Sequence, residues 1–246
     1  MVRKSCAGNG GSKGIGRAVA LRYADEGAKV IFTYANDSSA SSSVLTEIAE
    51  RGGTGEAVQV DFTRMSSIHE VISGIGRKYG LISVLVNNAV AGNRHPVRIE
   101  EGDPEAWFRM IDYNLKAAYL VTKTVLAVHE RGAMGRIVHV SSEMAEDGMP
   151  GASSYMTAKA GLHGFSRALA VEHASEGIFS NIVMPGLTLT ERNQAEFPPE
   201  MLEKFASSHP AKRLGTPEDA ANLIAFLGSA ANSFVNGETI RVTGGK

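Results

Sequence analysis

Residues 9–16 read Asn9-Gly10-Gly11-Ser12-Lys13-Gly14-Ile15-Gly16, and a helical pattern follows them from Arg17 to Glu26. Glycines at this spacing allow a tight turn from a strand into a helix, and they let a phosphate group approach the positive end of that helix. The loop therefore requires a strand before it. Residues 3–8 are poor strand formers and include a glycine, so this first strand is assigned from the loop rather than from propensity.

Short runs rich in β-branched residues alternate with helical stretches along the rest of the chain. The strands predicted from these runs are Lys29–Tyr34, Ala57–Asp61, Ser83–Asn87, Arg136–Ser142, Ser180–Met184 and Thr239–Thr243. Apolar residues between them recur three or four positions apart, as in amphipathic helices that pack on a parallel sheet. We therefore predict a single α/β domain over residues 1–246, a Rossmann-type doubly wound fold with about seven parallel strands and helices on both faces.

The stretch Gly186–Gly215 is the least regular part of the chain and is rich in polar residues and prolines. A long excursion after the C-terminal end of a parallel strand can cover a binding cleft. We therefore predict a substrate lid over residues 186–215, with a structural loop and a short helix as the alternative. Directly after it, Thr216 is predicted to cap the next helix, because Pro217 and Asp219 follow it.

Composition argues against several classes of function. The 246 residues are 43% apolar and 21% charged with a net charge of −1, so the basic excess of nucleic-acid-binding proteins is missing. Cys6 is the single cysteine, which excludes an internal disulfide, and the seven histidines lack the spacing of metal ligands. No apolar run has membrane-spanning length and no signal-peptide pattern occurs, so we expect a soluble cytoplasmic protein without a membrane partner.

The end of the strand Lys29–Tyr34 bears on the choice of dinucleotide. An NAD site uses a carboxylate at this strand tip, about twenty residues after the glycine loop, to bond the ribose hydroxyls. Here the tip reads Tyr34-Ala35-Asn36-Asp37, while Lys13 in the loop can reach a 2′-phosphate. We predict a preference for NADP(H). NAD(H) is the alternative because Asp37 is near, although Asp37 is also placed to cap the following helix.

Tyr155 and Lys159 are four residues apart at the start of a helical stretch, so they share one face of that helix. An ammonium group one turn away favours the ionised form of a tyrosine, which suits the tyrosine to proton transfer. Ser142 ends the strand Arg136–Ser142 just before this helix, at the edge where parallel sheets bind ligands. Each residue alone is as well explained by a solvated helix face or a turn, but the three together predict a catalytic group.

These features resemble the short-chain dehydrogenase/reductase family along nearly the whole chain. Further matching positions, in the order of the family, are Asp61, Asn87-Asn88-Ala89, Asn114 and Pro185-Gly186. The interval between Ser142 and Tyr155 is also the usual one for the family. The segment Arg213–Asp219 and the ending Val242–Gly245 are similar to those of 3-oxoacyl-[acyl-carrier-protein] reductases in particular.

The resemblance implies an oxidoreductase that interconverts a ketone and a secondary alcohol, with the cofactor carrying the hydride. Tyr155 would donate the proton to the carbonyl oxygen, Ser142 would hydrogen-bond that oxygen, and Lys159 would hold the nicotinamide ribose. Asn114 would anchor a water that links Lys159 to solvent. Asp61 would contact the adenine. The full set of cofactor contacts implied by the loop and the resemblance is Asn9, Gly10, Ser12, Lys13, Gly14, Ile15, Gly16, Tyr34, Asp61, Phe62, Asn88, Ala89, Tyr155, Lys159, Pro185, Gly186, Thr188 and Thr190, with Asn87 bordering the cofactor.

Two departures from the family pattern stand near the predicted cofactor site. Asn9 replaces the usual threonine before the first glycine and retains hydrogen-bonding capacity. Val90 follows Asn87-Asn88-Ala89 where a glycine is expected, and a β-branched residue resists positive φ. Neither change removes a catalytic group, so we expect an active enzyme.

The resemblance suggests a β-ketoacyl thioester as substrate, carried on an acyl carrier protein. Carrier proteins are acidic, so docking needs basic residues near the cleft. Val171 stands where carrier-dependent members often have an arginine, and Arg131 and Arg167 are other basic residues in that part of the sequence. A free small ketone, a sugar or a secondary-metabolite intermediate is therefore the alternative substrate. Residues 93–95 and the predicted lid would shape its pocket.

Other functions have less support from the residues present. A catalytically silent dinucleotide-binding protein would be expected to lack the tyrosine, the lysine or the serine, and all three are present. A hydrolase built on Ser142 would need a histidine–acid pair and a Gly-x-Ser-x-Gly turn, which the sequence lacks. The resemblance also implies a homotetramer, assembled through two long helices and the C-terminal strand.

Overall fold

The computed structural model describes residues 5–80, 82–92, 95–129 and 133–246. The strands within these ranges are β1 (Ser5–Gly8), β2 (Lys29–Tyr34), β3 (Thr54–Gln59), β4 (Val84–Asn87), β5 (Gly135–Val140), β6 (Ile178–Pro185) and β7 (Thr239–Val242). They pair in parallel as one sheet in the order β3-β2-β1-β4-β5-β6-β7. The strand order reverses between β1 and β4, which opens a crevice at the carboxyl ends of the strands. The predicted fold class is confirmed.

Helices connect consecutive strands, as the alternating pattern predicts. They are α1 (Gly14–Asp25), α2 (Ser38–Glu50), α3 (Met65–Tyr79), α4 (Pro104–Ile111), α5 (Ala117–Leu126), α6 (Met144–Asp147), α7 (Ser153–His173), α8 (Glu191–Glu196), α9 (Pro199–Ser208) and α10 (Pro217–Leu227). A π-helical segment, Asp112–Lys116, joins α4 to α5, and short 3-10 turns occupy Ile99–Glu101 and Ala174–Glu176. Across the described ranges, we find no helix whose length and apolarity would let it cross a bilayer.

Both faces of the sheet are covered, and β2 shows how one strand serves two cores. Val30 and Phe32 pack into a cluster with α1 and α10, whereas Ile31 between them packs into a second cluster with α3 and α5. Successive side chains of a strand point to opposite faces, so a continuous apolar run is what a doubly covered strand requires. This arrangement makes the carboxyl edge of the sheet, rather than a face, the open surface.

Apart from β2, the strand boundaries differ from the sequence-based expectation, by one or two residues in β4, β6 and β7. The first strand is Ser5–Gly8, and residues 3 and 4 lie outside the described residues. The third is Thr54–Gln59 rather than Ala57–Asp61, because the polar start of this edge strand pairs with β2 whatever its own propensity. The fifth ends at Val140 rather than Ser142, since the chain turns there into α6.

The excursion Gly186–Gly215 contains α8 and α9 and is pinned at its base. The Leu189 N–H donates to the Gly215 carbonyl oxygen at 2.8 Å, and the Gly215 N–H donates to the Leu187 carbonyl oxygen at 3.2 Å. Beyond it, Thr216 and Asp219 form a reciprocal capping box at the start of α10, which confirms the predicted cap. That the excursion acts as a lid stays a prediction.

His139 is a fully buried histidine in the middle of β5, close to the predicted catalytic lysine. Its Nδ1 lies 3.2 Å from Nδ2 of Asn87, its ring packs edge-on against Phe165, and its Nε2 has no hydrogen-bond partner among the described residues. Burial, and then the charge of Lys159, lower the pKa of His139 to about 3. The imidazole is therefore neutral in the folded protein at physiological pH.

We expect the free energy of unfolding to fall as the pH falls below about 6.5. In this range His139 becomes protonated in the unfolded chain but stays neutral in the folded protein. A folded pKa of about 3 makes this loss about 2 kcal/mol at pH 5, measured by urea unfolding at a series of pH values. His139→Asn should flatten the acid part of that curve. His173→Asn, which removes a partly exposed histidine, should leave it in place. Parallel curves for His139→Asn and the wild type would contradict the assignment.

Candidate active site

The carboxyl edge of the sheet holds a cleft with a volume of about 410 Å³. Its wall is built by the glycine loop, by the segments that follow β4, β5 and β6, by the start of α7 and by α8. Loops after neighbouring parallel strands diverge at the reversal of strand order, which is why the cleft forms at this edge. It is the natural place to look for the predicted side chains.

Ser142, Tyr155 and Lys159 all line this cleft. Tyr155 and Lys159 lie one turn apart on α7 and are 8% and 2% exposed. The Lys159 ammonium donates a hydrogen bond to the Val140 carbonyl oxygen at 2.7 Å and lies 6.0 Å from the centroid of the Tyr155 ring. Ser142 follows β5, and its Oγ accepts a hydrogen bond from the Met144 N–H at 3.3 Å. The structure thus brings the three predicted side chains to one place.

Asn114 lies in the π-helical segment and is buried behind the cleft. Its Nδ2 donates to the carbonyl oxygens of Ala91 and Met110 at 2.9 and 2.8 Å, and its Oδ1 accepts from the Ala91 N–H at 3.2 Å. A cavity of about 10 Å³ is lined by Asn114 and by Lys159. A volume of this order holds about one water. Asn114 therefore braces the segment after β4, and the adjoining cavity has room for the water predicted between it and Lys159.

The glycine loop has the backbone conformation that its sequence predicts. Gly10 and Gly14 have φ angles of 69° and 52°, a region that side-chain-bearing residues rarely adopt. At Gly16, a Cβ atom would lie 2.0 Å from the Gly10 carbonyl oxygen. The loop and the start of α1 therefore pack as closely as a pyrophosphate-binding turn requires.

Asn9 ties this loop to the end of β4. Its Nδ2 donates to Oδ1 of Asn87 at 3.0 Å, and its Oδ1 accepts from the backbone N–H groups of Asn88 and Ala89 at 2.5 Å each. In turn, Nδ2 of Asn88 donates to the carbonyl oxygens of Asn9 and Gly10 at 3.2 Å each. The contacts of Asn9 are thus with the protein, and its amide joins the two sides of the strand-order reversal.

Carboxylates of the chain engage two groups that were predicted to hold phosphates. The Gly14 N–H, at the start of α1, donates to Oε2 of Glu191 at 2.9 Å. The Lys13 ammonium lies 2.5 Å from Oδ2 of Asp37, which raises the pKa of Lys13 and lowers that of Asp37. Asp37 also caps α2 by accepting from the Ala40 N–H, as predicted. In both pairs a carboxylate occupies a group that attracts negative charge, the N-terminus of α1 or the Lys13 ammonium. A phosphate would bind to the same two groups.

Glu143, directly after Ser142, is a buried acid in the cleft wall. Its Oε1 accepts from the Lys246 ammonium at 3.2 Å, whereas its Oε2 is without a hydrogen-bond partner in the described chain. The Glu143 N–H donates to the Pro185 carbonyl oxygen at 3.0 Å, so the backbone that carries this acid is held against the end of β6.

Val90 also lines the cleft and does not strain the backbone there. It does not have a positive φ, whereas Gly92, two residues later, has a φ of 102°. The positive φ in this segment is thus at a glycine, and Val90 is accommodated without one. Among the described residues, no three His, Cys, Asp or Glu side chains converge as metal ligands would.

The comparisons with known proteins agree with this geometry. A family model described as enoyl-(acyl carrier protein) reductase matches residues 8–246. The 3-oxoacyl-[acyl-carrier-protein] reductase FabG of Staphylococcus epidermidis is 34% identical over 99% of this chain and 99% of its own. The chain belongs to the short-chain dehydrogenase/reductase family. As a member of this family, it is an oxidoreductase.

Solved structures give the same result. The reductase LugOII, described as catalysing keto-reduction at C1 during lugdunomycin biosynthesis, superposes with a TM-score of 0.90 and 29% identity over 98% of this chain and 97% of its own. A blue fluorescent protein from a metagenomic library, solved in complex with NADPH, superposes with a TM-score of 0.89 and 28% identity over the same shares of the two chains, 98% and 97%. Both superpose on nearly the whole length of this family member.

Within this short-chain dehydrogenase/reductase, the predicted site residues fall into two groups. Those that line the cleft are Lys13, Gly14, Ile15, Asn88, Ser142, Tyr155, Lys159, Pro185, Gly186, Thr188 and Thr190. Those that the described cleft wall does not include are Asn9, Gly10, Ser12, Gly16, Tyr34, Asp61, Phe62, Ala89 and Asn114. Tyr34, Asp61 and Phe62 lie towards the β2–β3 side of the sheet, where an adenine was expected. Asp61 there accepts from the N–H and the hydroxyl of Thr63 at 2.9 and 2.6 Å.

Sequence analysis missed Glu143 and Glu191 because an isolated glutamate carries no spacing signal. For Glu191, the only sequence clue was its position just after Thr190 in the excursion. His95 is exposed and is not among the described residues of the cleft wall. Asn93, Arg94 and Arg131, also singled out above, lie outside the described residues.

Removing the Glu191 carboxylate should strengthen cofactor binding, because a dinucleotide pyrophosphate and Glu191 need the same N–H at the start of α1. We expect Glu191→Ala to lower the Kd of NADPH by about two- to tenfold, the worth of one hydrogen bond. Fluorescence titration of NADPH measures this. Glu203→Ala removes an exposed acid from the same excursion and should leave the Kd unchanged. Equal or weaker binding by Glu191→Ala would show that this carboxylate does not compete.

Proposed function

We propose that this chain is an NADP(H)-dependent ketone reductase that forms a secondary alcohol, and that Tyr155 is its proton donor. The observation that carries the proposal is the convergence of Ser142, Tyr155 and Lys159 on one cleft beside the glycine loop. The family supplies the oxidoreductase chemistry. A silent dinucleotide-binding protein would need none of the three side chains in this arrangement.

The proton chemistry follows from the surroundings of each side chain. Ser142 Oγ accepts from the Met144 N–H, which leaves its hydroxyl hydrogen free to bond the carbonyl oxygen of a substrate. The Tyr155 hydroxyl donates its proton to that same oxygen as negative charge develops on it. The Lys159 ammonium, held by Val140, stabilises the phenolate that remains. A water in the small cavity beside Asn114 and Lys159 would return a proton towards Tyr155.

The residues present fit a nicotinamide dinucleotide. The close packing of Gly10, Gly14 and Gly16 suits a pyrophosphate at the start of α1. Pro185, Gly186, Thr188 and Thr190 would hold the nicotinamide side, and Asp61 and Phe62 the adenine side, with Tyr34 nearby. When bound, the cofactor supplies or accepts the hydride. Lys13 would hold a 2′-phosphate in place of Asp37, and the neighbour solved with NADPH supports this choice.

Two substrate classes are compatible with the proposal. The names of the relatives support a β-ketoacyl thioester, with an acyl carrier protein as partner. A free ketone with polar substituents is favoured by the buried Glu143 in the cleft wall and by Val171, which is 80% exposed where a basic docking residue would be expected. The keto-reduction described for LugOII supports this second class.

We also propose a homotetramer. Val171 on α7 and Phe234 just before β7 are 80% and 93% exposed, and large apolar side chains at these positions suit the two interfaces that the resemblance implies. Mass measurement in solution tests this, and a monomer at micromolar concentration would contradict it.

Replacing the proton donor should abolish turnover without affecting cofactor binding. We expect Tyr155→Phe to lower kcat for NADPH-dependent ketone reduction by about 10²- to 10⁴-fold. Tyr119→Phe, which removes a hydroxyl from a half-exposed tyrosine on α5, is the matched control and should retain activity. Ketone reduction at the wild-type rate by Tyr155→Phe would refute the assignment.

The loop lysine should determine the preference between the two dinucleotides. We expect Lys13→Met to raise the KM for NADPH by about tenfold or more while leaving the KM for NADH nearly unchanged, because only NADPH carries the 2′-phosphate. Lys78→Met, which removes an exposed lysine paired with Glu56, should change neither value. Comparable turnover of the wild type with both cofactors at low concentration would contradict the preference.

A further inference from the structure

We propose that Glu143 recognises a hydrogen-bond donor beside the carbonyl group of the substrate, a hydroxyl or an ammonium group. The inference rests on the proposed ketone chemistry and assigns a specificity residue to it. Glu143 directly follows Ser142 in the chain and lines the same cleft. The residue is only 6% exposed, and its Oε2 has no hydrogen-bond partner among the residues described.

A buried carboxylate oxygen without a donor is unfavourable, because it has lost water and gained nothing in return. The charge of the group is partly offset, since Lys246 donates to Oε1 at 3.2 Å. That contact leaves Oε2 unsatisfied. A ligand that brings its own donor into the cleft would remove the deficit.

Glu143 contacts the segment after β6 and directly follows Ser142, so it is close to the predicted reaction centre. Its main chain is held to the end of β6 by the hydrogen bond to the Pro185 carbonyl oxygen at 3.0 Å. Its Oε2 lies against Gly186, where a Cβ atom would come within 3.1 Å of it. Glycine at position 186 thus leaves the space that this carboxyl group occupies. The acid therefore follows Ser142, assigned to the carbonyl oxygen, and its carboxyl group contacts the segment assigned to the nicotinamide.

The other charged side chains of the cleft wall are of both signs. The acids are Glu191 and Glu196, and the cations are Lys13, Lys159 and Arg192. Arg192 is paired with Glu196, and Lys13 with Asp37. The preference therefore rests on Glu143 itself, because a carboxylate beside Ser142 attracts hydroxyl and ammonium donors and disfavours a second carboxylate there. The substrate class that fits is a hydroxyketone or an aminoketone.

The carboxamide of a nicotinamide is a second possible donor to Glu143. It would hydrogen-bond the acid whichever ketone is bound. A substrate donor, in contrast, makes the effect of Glu143 depend on the ketone. Comparing two ketones that differ in one group therefore separates the two sources.

The test compares 1-hydroxy-2-butanone with 3-pentanone, in which a methyl group replaces the hydroxyl. We expect the wild type to favour the hydroxyketone by about tenfold or more in kcat/KM with NADPH. Glu143→Leu should reduce this ratio to about one or below. Glu146→Leu is the matched control, because Glu146 is an exposed acid on α6 paired with Arg241, and it should keep the wild-type ratio.

A conservative variant covers the case in which Glu143→Leu does not fold, which thermal unfolding will show. Glu143→Gln keeps an acceptor oxygen and loses the charge. This variant should keep the wild-type ratio of kcat/KM for the hydroxyketone over 3-pentanone. Its kcat/KM ratio for 1-amino-2-butanone over 3-pentanone should fall about tenfold, because hydrogen bonds between charged groups are stronger than neutral ones.

The inference is overturned if the wild type shows no preference for the hydroxyketone, or if Glu143→Leu keeps that preference. An equal loss for both ketones, together with a raised Kd of NADPH, would assign the donor to the cofactor and overturn the substrate assignment. Reduction of acetoacetyl-coenzyme A without any preference among the small ketones would overturn the inference alone. Failure of the wild type to reduce any of these ketones would overturn the proposed function and the inference with it.

Discussion

The side-chain amide of Asn9 joins β1 to β4 at the point where the order of strands reverses. It donates to the Asn87 side chain and accepts from two successive backbone N–H groups, at Asn88 and Ala89. An amide can make these contacts together because it carries donors and an acceptor on one rigid group. The glycine loop leaves β1 immediately after Asn9, so this interaction sets the position of the loop, of the start of α1, and of the inner wall of the cleft.

A buried polar network continues from Asn87 towards Lys159, the predicted catalytic lysine. Nδ2 of Asn87 donates to Oγ1 of Thr122 at 3.0 Å and faces His139, which burial and the charge of Lys159 keep neutral. A protonated His139 would repel the nearby ammonium group of Lys159 and disfavour its charged form. The neutral histidine therefore leaves Lys159 as the buried cation beside Tyr155, which is what the proposed proton chemistry needs.

The cleft wall carries charges of both signs. Two of its acids, Glu143 and Glu191, bind groups that are distant in the sequence. Glu191 bonds the start of α1 across 177 residues of sequence, and Glu143 bonds Lys246 across 103. Both acids line the cleft, Glu191 against the glycine loop and Glu143 directly after Ser142. Their different surroundings support different roles. Glu191 is exposed and accepts from one backbone N–H, whereas Glu143 is buried and retains an oxygen without a donor among the described residues.

The sequence by itself determined the fold class and the three side chains of the proposed reaction. Strand and helix periodicities are local, and the Tyr155–Lys159 spacing places both on one helical face whatever surrounds them. The sequence predicted the boundaries of β3 and β5 less well. The extent of β3 depends on its pairing with β2, and the end of β5 at Val140 depends on its pairing with β6. The tertiary structure alone decided that Asn9 braces the loop, that Glu191 reaches α1, and that Oε2 of Glu143 is buried without a donor from the described part of the chain. These contacts join residues far apart in the chain, and no local pattern encodes which distant groups the packing of helices on the sheet will bring together.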